Sequence, residues 1–396
     1  MDEGHSLITL LVTGFVLAFV LGLVANRLRL APLVGYILAG VVVGPFTPGF
    51  VADVHLAPQL AEIGVILLMF GVGLHFSPKD LLAVRTVALP GAISQIAAAT
   101  GLGWLLGLGF GLDHAEALLM GFSVSVASTV VLIRALDERQ QVRSPTGRLA
   151  VGWLIVEDLV MVLALVLLPI VAAAEGDGGL AGLLVPAGAV LLKVAAFVLL
   201  MAVVGTRVLP GALILIAHER SRELFTLGVL AIAMGIAWLA YAVFAASFAL
   251  GAFVAGLVLA ASPLGHSAAE RSLPLRDAFS VLFFVSVGML FDPGILIERP
   301  VAVICLLGIV VFGKAVAALL ITWAFRQDWR TGLIVAASLA QAGEFTFILA
   351  GLGTSLGVLS TGTHDLVLAA ALLSIAINPF MFKLADRLTP AAIASA

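Results

Sequence analysis

Thirteen apolar segments, most of them about twenty residues long, follow one another through this chain and leave it few ways to fold. They cover residues 6–26, 31–46, 57–76, 86–110, 114–134, 148–172, 184–208, 222–244, 246–262, 276–292, 300–325, 331–354 and 365–388. The boundary between the eighth and the ninth, at Ala242–Ser247, is the weakest. A helix of about twenty residues crosses the hydrocarbon core of a bilayer, and only helices or closed barrels satisfy their backbone there. The chain is 62% hydrophobic and 11% charged, whereas soluble chains are about a quarter charged. We therefore read residues 1–396 as one all-α polytopic membrane domain of about 13 transmembrane helices in a lipid bilayer. Its 41 glycines and 16 prolines suit close helix packing and broken helices. The single cysteine, Cys305, excludes an intrachain disulfide and is expected to be a buried, inert thiol. The acidic N-terminus lacks the basic region of a cleaved signal, so the first run is expected to be retained.

The loop charges test the count. Arg27 and Arg29; Lys79 and Arg85; Arg134, Arg139, Arg143 and Arg148; Arg207, Arg220 and Arg222; Arg271 and Arg276; Arg326 and Arg330; and Lys383 and Arg387 all fall on one side. The other side has only Arg299. One missing or extra span would scramble this alternation. Cytoplasmic loops carry the excess of lysine and arginine, so the N-terminus is placed outside and the C-terminus in the cytoplasm, across the inner membrane.

An internal repeat is also present. Val34-Gly-Tyr-Ile-Leu-Ala-Gly40 matches Leu250-Gly-Ala-Phe-Val-Ala-Gly256 at an offset of 216. Leu68-Met-Phe-Gly-Val-Gly73, with Phe76 and Pro78 beyond it, matches Phe283-Phe-Val-Ser-Val-Gly288, with Phe291 and Pro293, at an offset of 215. Seven spans separate the copies, and an odd number reverses orientation, so the repeats (about 31–172 and 246–388) are inverted. Inverted repeats mark secondary transporters, with the site near the midplane where the copies meet.

The same offset carries Ser125 onto Gln341. Ser123-Val-Ser-Val-Ala-Ser-Thr129 and Ser338-Leu-Ala-Gln-Ala-Gly-Glu344 are small, polar interruptions at mid-span. Such stretches either bond back to their own helix and pack, or break it and expose backbone groups to an ion. Matching positions in both copies favour a crossed pair of broken helices.

Strongly ionisable residues well inside spans are few: Glu157, Asp158, Lys193, Lys314 and Glu344. A charge near the bilayer centre costs at least about 2.5–3.5 kcal/mol, so each is a functional candidate. Asp158 is the foremost. A carboxylate holds a proton or a monovalent cation but not both well, and such competition couples two opposed fluxes at one site. Hard alkali cations want oxygen ligands, which Ser125, Ser128, Thr129 and their carbonyls would add. The plain alternative is a buried ion pair between two helices. Glu157 and Asp158 point about 100° apart on a helix, so they divide their roles. We assign Asp158 to the ion and Glu157 to a supporting or second-proton role. Lys314 is either a counter-ion for Glu157 or Asp158, or a proton carrier that competes with the cation. Glu344 either binds a proton or ion, or pairs with a base such as Arg134. Lys193 reads as structural, and Asn378-Pro379 as a kink in the last span.

Several stretches together resemble a known family. They are Gly35-Tyr-Ile-Leu-Ala-Gly40 with Gly44-Pro45, Ala127-Ser-Thr-Val-Val131 with Asp137-Glu-Arg139, and Gly152-Trp-Leu-Ile-Val-Glu-Asp-Leu159. Phe253-Val-Ala-Gly-Leu257, Phe283-Phe-Val-Ser-Val-Gly-Met289 and Gln341-Ala-Gly-Glu-Phe345 complete the set. The pattern resembles the monovalent cation:proton antiporter-2 family, most closely its Kef-type and YbaL-like potassium efflux members. That resemblance implies the NhaA/NapA-like antiporter fold of dimerisation and core domains, with inverted-topology repeats, crossed discontinuous helices and an elevator-like movement. It implies that Asp158 binds the ion and the proton, and that the protein is a homodimer. Kef proteins commonly have Gln-Asp where this chain has Glu157-Asp158, whereas electrogenic sodium antiporters of related fold pair two acids and carry a lysine like Lys314. Stoichiometry and ion preference are therefore left open. Kef-type relatives continue into a cytoplasmic nucleotide-binding regulatory domain. No strand–Gly-x-Gly-x-x-Gly–helix pattern occurs in this chain, so none is expected within it.

The function these features imply is antiport of a monovalent cation, potassium before sodium, against protons, with no cofactor and no nucleic-acid partner. The alternatives are a gated cation channel-like efflux pathway or a sodium-coupled organic-anion symporter of similar build. No selectivity-filter loop supports the first, and the compact Ser/Thr-plus-acid set opposes the second. No nucleophile–base set or metal cluster points to an enzyme.

Overall fold

The computed structural model of the chain describes residues 3–28, 30–47, 56–75, 78–137, 139–142, 144–174, 179–244 and 246–389. Its regular structure is helical throughout. The first half contains α1 (Glu3–Arg27), α2 (Pro32–Val43), α3 (Ala57–His75), α4 (Pro78–Gly109), α5 (His114–Ser123), α6 (Thr129–Asp137), α7 (Pro145–Ala174), α8 (Gly179–Leu200) and α9 (Thr206–His218). The second contains α10 (Arg222–Phe244), α11 (Phe248–Ala260), α12 (Gly265–Leu290), α13 (Ile295–Glu298), α14 (Pro300–Gly308), α15 (Lys314–Ala324), α16 (Trp329–Leu339), α17 (Glu344–Ser355) and α18 (Thr361–Leu388). Single π-turns at Met201–Gly205 and Ile309–Gly313 join α8 to α9 and α14 to α15.

Among the described residues, eight helices are long and apolar enough to cross a membrane, or nine if the bent pair α16–α17 counts as one span. The shorter apolar helices are α2, α11 and residues 59–74 of α3. The expected seventh and eleventh segments are each two helices fused through a π-turn, and the uncertain boundary between the eighth and ninth falls at the gap between α10 and α11. Side chains fix several helix starts. Asp113, Ser247, Asp328 and Ser360 each cap a helix by accepting the backbone N–H three residues on. Cys305 departs from expectation: it is exposed on α14, on a helix where Val301 and Ile304 are exposed too.

The chain forms two compact units. The first comprises residues 1–19, 36–76 and 162–290. In it α3 packs against α11 and α12, and the close crossings are made by glycine. A Cβ on Gly40 would lie 2.0 Å from the Val285 carbonyl oxygen and 2.8 Å from Gly288 Cα, and one on Gly73 would lie 2.2 Å from the Phe253 carbonyl oxygen. Gly73 in turn meets Gly256. Glycine is needed at these points because any side chain would drive the backbones apart.

The second unit comprises residues 20–35, 77–161 and 291–396. It holds the two interrupted spans, α5–α6 and α16–α17, the latter bent by 41°. Trp153 of α7 is fully buried, with its ring where a Cβ on Gly91 of α4 would stand, 2.5 Å away. That contact sets α4 and α7 at the height from which both reach the first interruption.

Candidate functional site

Ser125, Ser128, Thr129, Glu157, Asp158, Lys314, Gln341 and Glu344 all lie in the second unit, and Lys193 lies in the first. The helices stop at Ser123 and resume at Thr129, then stop at Leu339 and resume at Glu344. The two breaks cross in contact. Gly343 N–H donates to the Val126 carbonyl at 3.0 Å. A Cβ on Gly343 would sit 2.6 Å from the Ala127 carbonyl oxygen, so the crossing itself demands glycine. Gln341 reaches across with its whole amide. Its Oε1 accepts Ser128 N–H at 3.0 Å, and its Nε2 donates to Ser128 O at 3.2 Å. Thr346 adds a hydroxyl bond to Ser123 O at 2.7 Å.

A broken helix leaves backbone groups without partners, and burying them unpaired costs stability. Here neighbouring spans supply the partners, and the two breaks are served alike. At the first, Gln95 Nε2 of α4 donates to Ser125 O at 3.0 Å, and Ala127 N–H donates to Glu157 Oε2 of α7 at 2.7 Å. At the second, Lys314 Nζ of α15 donates to Gln341 O at 2.7 Å, and Ala342 N–H donates to Ser374 Oγ of α18 at 3.0 Å. The two carbonyls are the pair related by the offset of 216. One break is thus closed by an amide donor and a carboxyl acceptor, the other by an amine donor and a hydroxyl acceptor. The π-turn at Ile309–Gly313, immediately before Lys314, adjusts the register at which that side chain arrives.

Asp158 stands differently from its neighbour. Thr129 Oγ1, at the first residue of α6, donates to Asp158 Oδ2 at 3.1 Å. The other oxygen, Oδ1, is buried and has no hydrogen-bond partner among the described residues, as is also true of Glu157 Oε1. The charged groups acting on Asp158 are Glu344 and Glu157, both acids, whereas the charged group acting on Glu157 is Lys314. Glu157 and Lys314 are each fully buried, and Asp158 is 7% exposed. Among the described residues, no Asp158–Lys314 or Glu157–Lys314 ion pair closes to 4 Å, the ammonium being spent on the Gln341 carbonyl. Lys314 is therefore neighbour to Glu157 and clamp of the second break at once. Both carboxylates thus keep one buried oxygen without a hydrogen-bond partner among the described residues, and they differ in their charged neighbours: a lysine for Glu157, acids for Asp158.

The remaining candidates fall into place individually. Ser125 turns its hydroxyl back onto Phe122 O at 2.7 Å, and Ser128 Oγ caps α6 by accepting Val131 N–H at 3.2 Å. Their hydroxyls serve the helix ends rather than pointing freely at Asp158. Glu344 opens α17 and is buried. The Arg134 side chain, its suggested partner, lies outside the described residues. Lys193 is exposed on α8. Asn378 is buried and donates to Ala337 O at 2.8 Å, tying α18 to the last turn of α16. Gln95 and Ser374 were missed by sequence reasoning because neutral polar residues in apolar runs carry no cost that draws attention. The repeat offset would have pointed to them: shifted by 216, Lys314 falls three residues from Gln95, and Ser374 falls on Asp158 beside Glu157.

Comparison with known proteins places this geometry. The family model "sodium/hydrogen exchanger, transmembrane" matches residues 15–385. A protein of Escherichia coli named as a candidate cation/proton antiporter, YbaL, is 58% identical over 98% of this chain and 70% of its own length. The glutathione-regulated potassium-efflux system protein KefC of Salmonella heidelberg is 31% identical over 92% of this chain, which spans 58% of that protein. Among solved structures, the sodium proton antiporter MjNhaP1 of Methanocaldococcus jannaschii at pH 8 superposes with a TM-score of 0.72, covering 97% of this chain and 99% of that one at 17% identity. At that identity the likeness speaks for the fold.

Proposed function

The chain belongs to the sodium/hydrogen exchanger family, and from that membership we propose that it is a secondary antiporter exchanging a cytoplasmic monovalent cation for protons, by competition at Asp158. Potassium is the favoured cation, in keeping with relatives named for potassium efflux, and sodium is the second choice. One observation carries the reading: Asp158 is a buried carboxylate with acidic neighbours and one oxygen without a hydrogen-bond partner among the described residues, at the crossing of two broken helices. A buried charge needs a partner, and here either a cation or a proton can be that partner. Two occupants that exclude one another at a site reached alternately from each side give obligatory exchange.

The other residues support that exchange in distinct ways. Thr129 aims Asp158. Glu157 holds the first break through Ala127 and faces the charge of Lys314. Gln341 and Ser128 lock the breaks together, so the site moves as one piece. Glu344, buried at the start of α17, is a further acid near Asp158.

The test is transport by the purified protein in liposomes enclosing a pH-sensitive dye, with potassium or sodium gradients, with and without a valinomycin clamp. Cation-driven proton flux is expected, and the clamp reads its net charge. Asp158→Asn should abolish exchange while the protein still elutes as a folded species. Exchange at an undiminished rate in that variant would sink the assignment.

A further inference from the structure

Arg139 and Lys383 border a cavity that the ion site does not use. It has a volume of about 560 Å³ and lies wholly within the second unit, among residues 26–31, α6 and α18. Its wall is mainly apolar, formed largely by Leu28, Leu30, Val131, Ile375 and Phe382, with Asn26 and Asn378 as its neutral polar members. Among the described residues, the charged ones lining it are two cations, with no carboxylate. Both cations rest on aromatic faces. The Arg139 guanidinium lies 4.4 Å above the Phe382 ring, and the Lys383 ammonium 5.1 Å from the Phe380 ring centre. Asp386 stands 3.6 Å from Arg139, but its side chain is 63% exposed, and a pair of that kind is weak.

The two cations among the described lining residues repel a metal cation. They suit a phosphate, which arginine binds in a fork and lysine as a point charge. The apolar wall excludes a fully hydrated anion as the best occupant and favours one that carries a hydrocarbon tail. Both basic residues belong to the loop-proximal turns of the basic side, the level of lipid headgroups. The volume falls within the range of ordinary ligand sites and accommodates a headgroup with the upper part of one acyl chain.

We propose that this cavity binds an anionic phospholipid, its phosphate between Arg139 and Lys383 and its acyl chain against the apolar wall. The position ties it to transport. Val131 and Ala135 of the wall belong to α6, whose first residue, Thr129, holds Asp158. Asn378, also in the wall, is bonded to the last turn of α16. A bound lipid therefore braces one half of each broken span, and exchange is expected to depend on it. Only that consequence rests on the antiport reading.

The test has two arms on the full chain. In native mass spectrometry, the protein released from mixed phosphatidylglycerol and phosphatidylcholine should retain phosphatidylglycerol preferentially. The double variant Arg139→Gln/Lys383→Gln should lose about fivefold of that retention, and Arg139→Lys/Lys383→Arg should keep most of it. Equal phosphatidylglycerol retention by the neutral variant and the wild type overturns the proposal. So does displacement of the lipid by millimolar inorganic phosphate, which would mark a small-anion site. In the second arm, phosphatidylglycerol in phosphatidylcholine liposomes should raise exchange by the wild type and leave the neutral variant unmoved. An equal response of both overturns the transport consequence. Absence of exchange in every liposome would instead defeat the antiport reading, and the mass-spectrometric arm would still decide the lipid.

Discussion

Glu157 and Asp158 are neighbours in the chain with separate tasks, because consecutive helical residues point about 100° apart. Glu157 is committed to a backbone amide and to Lys314's field, and Asp158 to Thr129 and to whatever fills its open oxygen. Substitutions separate these tasks. Glu157→Gln keeps an acceptor for Ala127 N–H and removes the charge, so stability should stay near wild type while the charge moved per cycle changes. Glu157→Leu strands that buried amide, at about 1–3 kcal/mol, and should lower the melting temperature as well. Equal melting temperatures for the two would show that the Ala127 bond contributes nothing. Thr129→Val removes the hydroxyl that aims Asp158, a bond to a charged group worth about 1.5 kcal/mol, or about tenfold in apparent cation affinity. An unchanged half-saturating cation concentration would refute that role. The acids were legible in the sequence because a charge in an apolar run is expensive wherever it occurs. The sequence also suggested a division of roles between them, but not their partners, Ala127 N–H for Glu157 and Thr129 for Asp158, since these depend on which oxygen meets which group across the unit.

Each interrupted span works as an element only because other spans complete it. Gly343 marks the point where the two cross, and Gly343→Ala places a methyl against the Ala127 carbonyl. Overpacking of this kind costs about 1–3 kcal/mol, and it should depress transport more than stability, since it pushes the breaks apart at the site. Measured melting temperature and exchange rate would separate the two effects. α16 also depends on its own beginning. Burial works to raise the pKa of Asp328, but the Thr331 N–H and hydroxyl hold it below the ordinary carboxylate value. The cap is therefore intact at neutral pH, and its contribution is lost as pH falls through that depressed value. Asp328→Ala should cost about 1 kcal/mol at neutral pH and progressively less in acid. A pH-independent difference in thermal stability would argue against this account. The breaks themselves could be read from clustered small polar residues repeated at one offset. The π-turn before Lys314 could not, because a one-residue bulge leaves the apolar pattern of its span intact.

At the scale of the molecule, the close crossings of the first unit obey the same internal relation as the breaks of the second. The offsets of 216 and 215 carry Gly40 onto Gly256 and Gly73 onto Gly288, and the observed approaches are Gly40 to Gly288 and Gly73 to Gly256. Each is the other's image, which is how a duplicated chain packs a copy of one element against the partner of the next. The sequence motifs revealed the duplication, but not that glycine lies where backbones touch, since 41 glycines offer many candidates. Orientation across the membrane is expected from the loop charges and can be tested directly. Lysine and arginine gather in alternate loops, so Glu219, between Arg207 and Arg220, should face the cytoplasm, and Ser355 the outside. Both side chains are exposed at helix ends. In a Cys305→Ser background, a membrane-impermeant maleimide should label Ser355→Cys in intact cells and Glu219→Cys only in inside-out vesicles. The opposite pattern would invert the molecule and refute the orientation read from the loop charges.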